Sequence, residues 1–184
     1  MARIPLDHPR TFTVRLLEAY STRRFGAVLD PGRVFLHHRG VMRAFLATER
    51  GAARLHTLPP TLTALAVMST ATEIGCEWCT DFGYWEFQHR GVDPAKLRAV
   101  PGWRTADVYD DTERAVLSYA AAMTATPPQV SDEMVADLRT RLTDEQLVEL
   151  TYWVALENSR SRINAAMGLT GQGFRDTCEL QPAR

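Results

Sequence analysis

Residues 73–83 have the sequence EIGCEWCTDFG, in which Cys76 and Cys79 lie three positions apart, directly after Gly75. Cysteines at this spacing can cycle between dithiol and disulfide, ligate a metal, or pack as inert thiols in a core. No second Cys or His pair at ligand spacing accompanies them, so half of a zinc site is the weakest of these interpretations. The third cysteine, Cys178, lies near the C-terminus, and an odd count of three does not indicate a secreted disulfide framework.

The sequence on either side of this motif has helical periodicity and almost no strand-like alternation. Gly75 predicts the end of a helix that begins at Pro59-Pro60, and Cys76 opens a second helix that ends at Gly91. A short helix is expected after Asp93. Further helices are expected at about residues 11–24, 34–46, 111–123 and 131–141, and the longest at 144–167, where the capping-box pattern of Thr143 and Gln146 marks its start. The sequence therefore predicts an all-α chain.

The amino-acid composition limits the classes of protein to which the chain can belong. The chain has 184 residues, of which 45% are hydrophobic and 23% charged, which is typical of a globular protein with one well-buried core. Its 21 basic and 22 acidic residues leave no basic surface for nucleic acid. The first nine residues lack the apolar core of a signal peptide, and no window has the roughly 18 apolar residues of a membrane span. We therefore expect one domain over residues 1–184, a cytoplasmic location, and neither a nucleic-acid nor a membrane partner.

Two stretches together resemble a known family. Residues 75–81 resemble the active-site stretch of the alkylhydroperoxidase D-like, or carboxymuconolactone decarboxylase, superfamily, and residues 142–158, continuing through 162–164, resemble its long C-terminal helix. The resemblance covers roughly residues 57–174. It implies a single-domain helical bundle of the alkylhydroperoxidase D-like type, with residues 1–56 as an N-terminal helical extension. It also implies a homo-oligomer, either a trimer or a hexamer.

The same resemblance implies two classes of activity. One is peroxide or disulfide reduction by a Cys-x-x-Cys pair; the other is lactone decarboxylation in members that lack the pair. The presence of both cysteines favours the redox class, with Cys79 as the nucleophile, Cys76 as the resolving thiol, an unidentified thiol as reductant, and no cofactor or metal. The alternative is a family member without redox activity, either a lyase-like enzyme or a small-molecule binding oligomer, in which the thiols only line a pocket or pack.

The chain departs from the family at two positions. Peroxidase members have a histidine four residues after the second cysteine, where this chain has Gly83, and a glutamate about twelve residues before the first, where it has Ala64. Both partners of the usual proton relay are therefore missing. Glu73, Asp81 and His89 lie near the motif in sequence and are the candidates to replace them.

For the remaining distinctive residues we expect structural roles. His37 and His38 are expected at the surface, and His56 in a capping or surface position. The aromatic residues after the motif are expected in the core or an interface: Trp78, Phe82, Tyr84, Trp85 and Phe87. Packing, helix-face or subunit contacts are expected for Glu149, Asn158, Arg160, Arg162 and Asn164. Cys178 lies in a polar tail and is expected to be a bystander.

Overall fold

A computed structural model describes residues 2–9 and 11–179. Within these residues the chain forms ten α-helices and one short 3-10 helix, and no β-strand. The helices are α1 (Phe12–Phe25), α2 (Asp30–Leu36), α3 (Arg39–Ala52), α4 (Pro60–Ile74), α5 (Glu77–His89), α6 (Pro94–Ala99), α7 (Asp111–Thr124), α8 (Asp132–Arg139), α9 (Asp144–Ala166) and α10 (Phe174–Glu179), with the 3-10 helix Val100–Gly102 after α6. The prediction of an all-α fold is confirmed.

The described chain divides into two compact units. The first contains the residues up to Leu55 together with Ala166–Leu169, and the second contains His56–Ala165 and the residues from Thr170 onward. The division at Leu55 lies next to residue 57, where the family-like core was expected to begin. The expectation of a single domain stays a prediction.

In the first unit, the segment expected at residues 34–46 forms parts of two helices. Pro31 lies in the first turn of α2, so the helical structure begins at Asp30, before the expected start at residue 34. The chain breaks at His38, whose Nδ1 accepts a hydrogen bond from the backbone N–H of Val41 and so caps α3. A Cβ at Gly40 would lie 3.1 Å from the His38 ring, a tight contact. His37 and His38 are exposed, as expected.

In the second unit, α4 is the central helix and packs against α5, α6 and α7. Ten consecutive residues, from Leu62 to Ala71, are buried, because neighbouring helices cover α4 on all sides. Proline in its first turn begins the helix, and Gly75, at φ +76°, ends it in the left-handed conformation that glycine adopts without steric cost.

Helix α9 is held to its neighbours by polar contacts as well as by apolar packing. Tyr119 Oη and Thr151 Oγ1 lie 2.9 Å apart, and Asn158 Nδ2 donates to Thr124 Oγ1 at 3.0 Å, so both contacts join α9 to α7. Buried Glu149 accepts hydrogen bonds from the backbone N–H of Thr57 at 2.9 Å and from the indole of Trp153 at 3.3 Å. These contacts fix the position of α9 before it reaches the cysteine motif.

Candidate functional site

Cys76 and Cys79 form a disulfide at the N-terminus of α5. Their Cα atoms lie 5.3 Å apart, and their sulfurs are bonded. The turn at Gly75 reverses the chain between α4 and α5, which leaves Cys76 in an extended conformation as the N-cap of α5. The Cys76 Sγ accepts the backbone N–H of Cys79 at 3.2 Å. One sulfur therefore serves both as a disulfide atom and as the acceptor that caps a helix.

Both thiol positions are shielded from solvent. Cys76 is 1% exposed and Cys79 is 7% exposed. Asn164, near the C-terminal end of α9, is also buried, and its Nδ2 donates to the Cys79 Sγ at 3.3 Å. The structure thus brings a polar side chain from 85 residues further along the chain into contact with the pair.

Asn164 belongs to a row of buried polar residues on α9. Glu157, Ser161 and Asn164 are 3%, 0% and 4% exposed, and their spacing of four and then three residues places them on one helix face. The Ser161 hydroxyl donates to Glu157 Oε1 at 2.7 Å, and Arg160 forms an ion pair with Glu157 Oε2 at 3.4 Å. The Glu157 charge is therefore paired inside the fold, as a buried carboxylate requires.

A half-open cleft of about 370 Å³ borders the motif on the Cys76 side. Apolar side chains and charged or polar side chains both line it. The residues that line it include Met68, Cys76, Tyr84, Leu97, Pro101 and Arg175. A small molecule in this cleft would lie against the disulfide.

The C-terminal segment is fastened beside this cleft by Asp81. The Asp81 carboxylate accepts backbone N–H groups of Gln172 at 2.7 Å, Phe174 at 3.2 Å and Arg175 at 2.8 Å. These amides lie at the start of α10, so Asp81 supplies acceptors to a helix N-terminus from another helix. Gln172 in turn accepts from the Trp78 indole at 2.7 Å.

Aromatic packing adds to this attachment. Phe82 stacks on Trp78 at a centroid distance of 4.9 Å, and Phe174 meets the Phe82 ring edge-on at 5.3 Å. Phe174 also lies 5.7 Å from Trp85. Helix α10 was not expected from the sequence, and Cys178 within it is buried rather than part of a polar tail.

The two positions that depart from the family are both buried. Ala64 is fully buried in α4, and Gly83 is buried in α5. A Cβ built on Gly83 would lie 2.6 Å from the Sδ of Met68, which is closer than real atoms approach. The Met68 thioether therefore fills the space that a side chain at position 83 would need.

The candidate relay residues make other contacts. Glu73 is exposed and pairs with Arg104 at 3.4 Å. Asp81 holds the C-terminal segment, as described above. His89 is exposed, and its Nδ1 bonds the carbonyl of Trp85 at 2.8 Å. Their roles in proton transfer stay predictions, as do the catalytic roles of Cys76 and Cys79.

Asn164, Ser161 and Glu157 were not identified as site residues from the sequence. Their spacing on a helix was visible, but the buried face of α9 was not, because amphipathic patterning with Glu, Ser and Asn normally indicates a solvated face. Among residues 2–9 and 11–179, no group of three or more His, Cys, Asp or Glu side chains is arranged to hold a metal ion. In the same residues, no helix combines the length and apolar character needed to cross a membrane.

Comparison with known proteins identifies the family. Residues 39–122 match the carboxymuconolactone decarboxylase family. The uncharacterized Escherichia coli K12 protein YnjA is 34% identical over 158 residues, which are 83% of this chain and 84% of YnjA. The chain belongs to the carboxymuconolactone decarboxylase family, so the predicted family membership is confirmed, and the matched residues include the cysteine motif.

Solved structures agree on the fold. An uncharacterized peroxidase-related protein from Ralstonia eutropha JMP134, with an alkylhydroperoxidase AhpD core, superposes with a TM-score of 0.81 at 19% identity, covering 95% of this chain and 94% of that protein. The debrominase Bmp8 superposes with a TM-score of 0.80 at 20% identity, covering 94% and 93%. Bmp8 has also been solved in complex with 2,3,4-tribromopyrrole. At these identities the comparison shows a shared alkylhydroperoxidase D-like fold.

Proposed function

We propose that this protein is a thiol-dependent oxidoreductase that reduces a peroxide or a disulfide through Cys76 and Cys79. The observation that carries the proposal is the bonded, buried pair at the N-terminus of α5, with a cleft alongside it. Membership of a family whose structural relatives include peroxidase-related proteins supports it.

The reduced pair would carry out a two-step cycle. The Cys79 thiol first releases its proton to solvent, and the thiolate then attacks the peroxide, so that an S–O bond forms while the O–O bond breaks. The alkoxide that leaves takes up one proton from solvent and departs as the alcohol. The Cys76 sulfur then attacks the sulfenic sulfur, which forms the disulfide and releases water. A dithiol reductant completes the cycle by thiol–disulfide exchange, which returns both protein thiols and leaves the reductant oxidised.

The position at the start of α5 supports thiolate chemistry. The free backbone N–H groups of a helix N-terminus stabilise negative charge and lower the pKa of a cysteine placed there. One of these amides, the Cys79 N–H, donates to the Cys76 Sγ, so the effect acts most directly on the Cys76 sulfur. The ordinary thiol pKa is about 8.5, so even a modest lowering increases the reactive form near neutral pH.

A thiol count tests the proposal. In a Cys178→Ser background, we expect the reduced protein to lose two thiols per chain on treatment with cumene hydroperoxide near neutral pH, and to regain them with dithiothreitol. Adding Cys79→Ser should prevent disulfide formation within the chain. Cys178→Ser alone is the matched control, because Cys178 belongs to α10 and not to the pair. Thiols that react only above pH 8.5, with no disulfide formed, would show that the pair is not a redox centre.

The cleft supports a second candidate function, the binding of a small organic molecule without thiol turnover. Met68, Leu97 and Pro101 give the cleft apolar surface for such a ligand, and Bmp8, which shares the fold, is known in complex with a brominated pyrrole. Calorimetric titration of the oxidised protein with 2,3,4-tribromopyrrole tests this candidate. Equal affinity in the parent and in Cys79→Ser, together with no thiol loss under peroxide, would favour binding over redox catalysis.

We further propose a cytoplasmic homo-oligomer, either a trimer or a hexamer. A reducing compartment supplies the dithiol form that the cycle needs. On α9, Val148, Tyr152 and Ile163 are exposed by 70%, 41% and 36%, and a second copy of the chain would remove this apolar surface from water. Sedimentation at micromolar concentration should show the oligomer, and a compact monomer would contradict it.

A further inference from the structure

We infer that Asn164 is a positioning residue that stabilises the thiolate of Cys79. Its significance for turnover rests on the proposed redox function, but the inference concerns the ionisation of one thiol and can be tested by itself. The observation behind it is the hydrogen bond from Asn164 Nδ2 to Cys79 Sγ at 3.3 Å, made between two buried side chains while that sulfur is part of the disulfide.

Burial alone works against a thiolate at this position. Cys79 is 7% exposed, and removal from water disfavours the charged form of a thiol and raises its pKa. A hydrogen bond donated to the charged form has the opposite effect, and bonds to charged groups are stronger than bonds between neutral groups. The Asn164 amide supplies such a donor where solvent does not reach.

The chemistry of asparagine suits a chain that lacks the usual relay. Histidine is absent at position 83, and Met68 occupies the space beside Gly83. An amide N–H stabilises a thiolate at every pH, because it neither gains nor loses a proton. Asn164 would therefore hold the thiolate but could not accept the proton that leaves it.

The position of Asn164 is well defined within the fold. It lies two residues before α9 ends, on the same buried face as Ser161 and Glu157. One turn and a half earlier on α9, Asn158 binds Thr124 instead, so the two asparagines of this helix have separate partners. Asn158 is thus a matched control for any general effect of changing an asparagine on α9.

Charged groups on the helices that carry or contact the pair must be separated from the effect of Asn164. They lie on α4, α5, α9 and α10 and include Glu73, Glu77, Asp81, Glu157, Arg175 and Asp176. Because none of them is changed in the comparison of Asn164 with Asn158 variants, their contribution to the Cys79 pKa is common to all the proteins compared.

The experiment measures thiolate absorbance at 240 nm against pH. A Cys76→Ser, Cys178→Ser parent leaves Cys79 as the single thiol, and Asn164→Leu, Asn164→Asp and Asn158→Leu are then made in it. We expect a parent pKa below 8.5. Asn164→Leu should raise it by about one unit, which is about tenfold less thiolate near neutral pH, and Asn164→Asp should raise it further because a carboxylate opposes the thiolate.

The outcomes separate the inference from the proposed function. Asn158→Leu should leave the thiol pKa unchanged. Asn164 variants that keep the parent pKa, or that shift it no more than Asn158→Leu does, overturn the inference even if the wild-type protein reduces peroxide. If neither Asn164 variant folds, the parent decides, since a Cys79 pKa at or above 8.5 overturns the inference. A raised pKa in the variants supports it even if peroxide turnover is absent.

Discussion

The Sδ of Met68 lies 2.6 Å from the point where a Cβ on Gly83 would stand. Met68 is buried in α4 and Gly83 in α5, so the methionine side chain packs against α5 at a residue that has no side chain. The same methionine lines the cleft beside Cys76. The Met68 side chain thus occupies the space that a histidine at position 83 would need.

Adding a side chain at position 83 should destabilise the protein. We expect Gly83→Ala to lower the free energy of unfolding by about 1–3 kcal/mol, because the added methyl overpacks a buried contact. Gly83→His should cost more, and should not by itself create a working relay. Combining Gly83→His with Met68→Ala should recover part of the loss, since the shortened side chain opens the space. Urea denaturation of Gly83→His, Met68→Ala and the double variant measures the coupling energy between the two positions.

Gly51→Ala is the matched control. Gly51 also lies within a helix, α3, but a Cβ there would meet nothing within 4 Å. Alanine should therefore stabilise the helix by about 0.5–1 kcal/mol relative to glycine. A stabilising Gly83→Ala would show that Met68 moves aside easily and that the contact does not constrain position 83.

Removing the Asp81 carboxylate should release the C-terminal segment. In Asp81→Ala, the backbone amides of Gln172, Phe174 and Arg175 lose their acceptor, which should cost about 1–3 kcal/mol. We expect hydrogen exchange at these amides to accelerate while exchange in α4 stays slow. Asp81→Asn keeps one oxygen and should have a smaller effect.

A surface aspartate provides the comparison for Asp81. Asp137 pairs with Arg141 one helical turn away, and both side chains are partly exposed. Asp137→Ala should change stability by about 0–1 kcal/mol, as is usual for exposed ion pairs. If Asp81→Ala left exchange at residues 172–175 unchanged, the aromatic contacts of Phe174 would be sufficient to hold α10.

The ion pair between Lys96 and Glu113 should be sensitive to loss of either partner. Their atoms lie 2.5 Å apart, and the Glu113 side chain is 6% exposed. Glu113 also completes the capping box with Asp110 at the start of α7. Lys96→Met leaves a buried carboxylate without its cation, so we expect a loss of about 2–4 kcal/mol in thermal or urea unfolding. A near-neutral result would show that the capping-box contacts alone compensate the Glu113 charge.

Tyr109 should give stability a distinct dependence on alkaline pH. Burial, with a smaller contribution from the nearby Glu113 charge, raises the pKa of Tyr109 to about 12, and its hydroxyl donates to the carbonyl of Lys96. The folded pKa lies above the ordinary value of about 10, so the favourable effect is fully present below pH 10 and is lost as pH rises towards 12.

Tyr109→Phe tests this dependence. The variant should lose stability less steeply than the parent between pH 10 and pH 12, and tyrosinate absorbance should lose its highest-pH component. Tyr152, which is exposed by 41%, is the control, because Tyr152→Phe should leave the alkaline slope unchanged. Equal slopes in the parent and Tyr109→Phe would contradict the assignment.

Local signals in the sequence were sufficient for most of the helices. Gly75, the Thr143–Gln146 capping box and Ser131 act through neighbours within four residues, so their effects can be inferred without the fold. The cysteine pair was equally visible. Helix α10 was missed because its amides are capped by Asp81, which is more than 90 residues away in sequence.

The residues around the cysteine pair could not be predicted from the sequence either, because they come from distant parts of the chain. Asn164 reaches Cys79 only because α9 returns to α5, and Met68 explains Gly83 only because α4 packs on α5. At residues 34–46 the helical period was correctly recognised, but the first helix begins earlier, at Asp30. The break falls at His38, where a side chain caps the next helix.

The disulfide links residues only three apart in sequence, and this short separation determines how much the bond contributes to the free energy of unfolding. In the chain-entropy description, closing a loop of about four residues removes only about 2 kcal/mol of unfolded-state freedom, against about 4.7 kcal/mol for a loop of 100 residues. Most of the protein's stability therefore does not depend on whether the sulfurs are joined. We therefore expect the helical bundle to remain folded whether the pair is a dithiol or a disulfide.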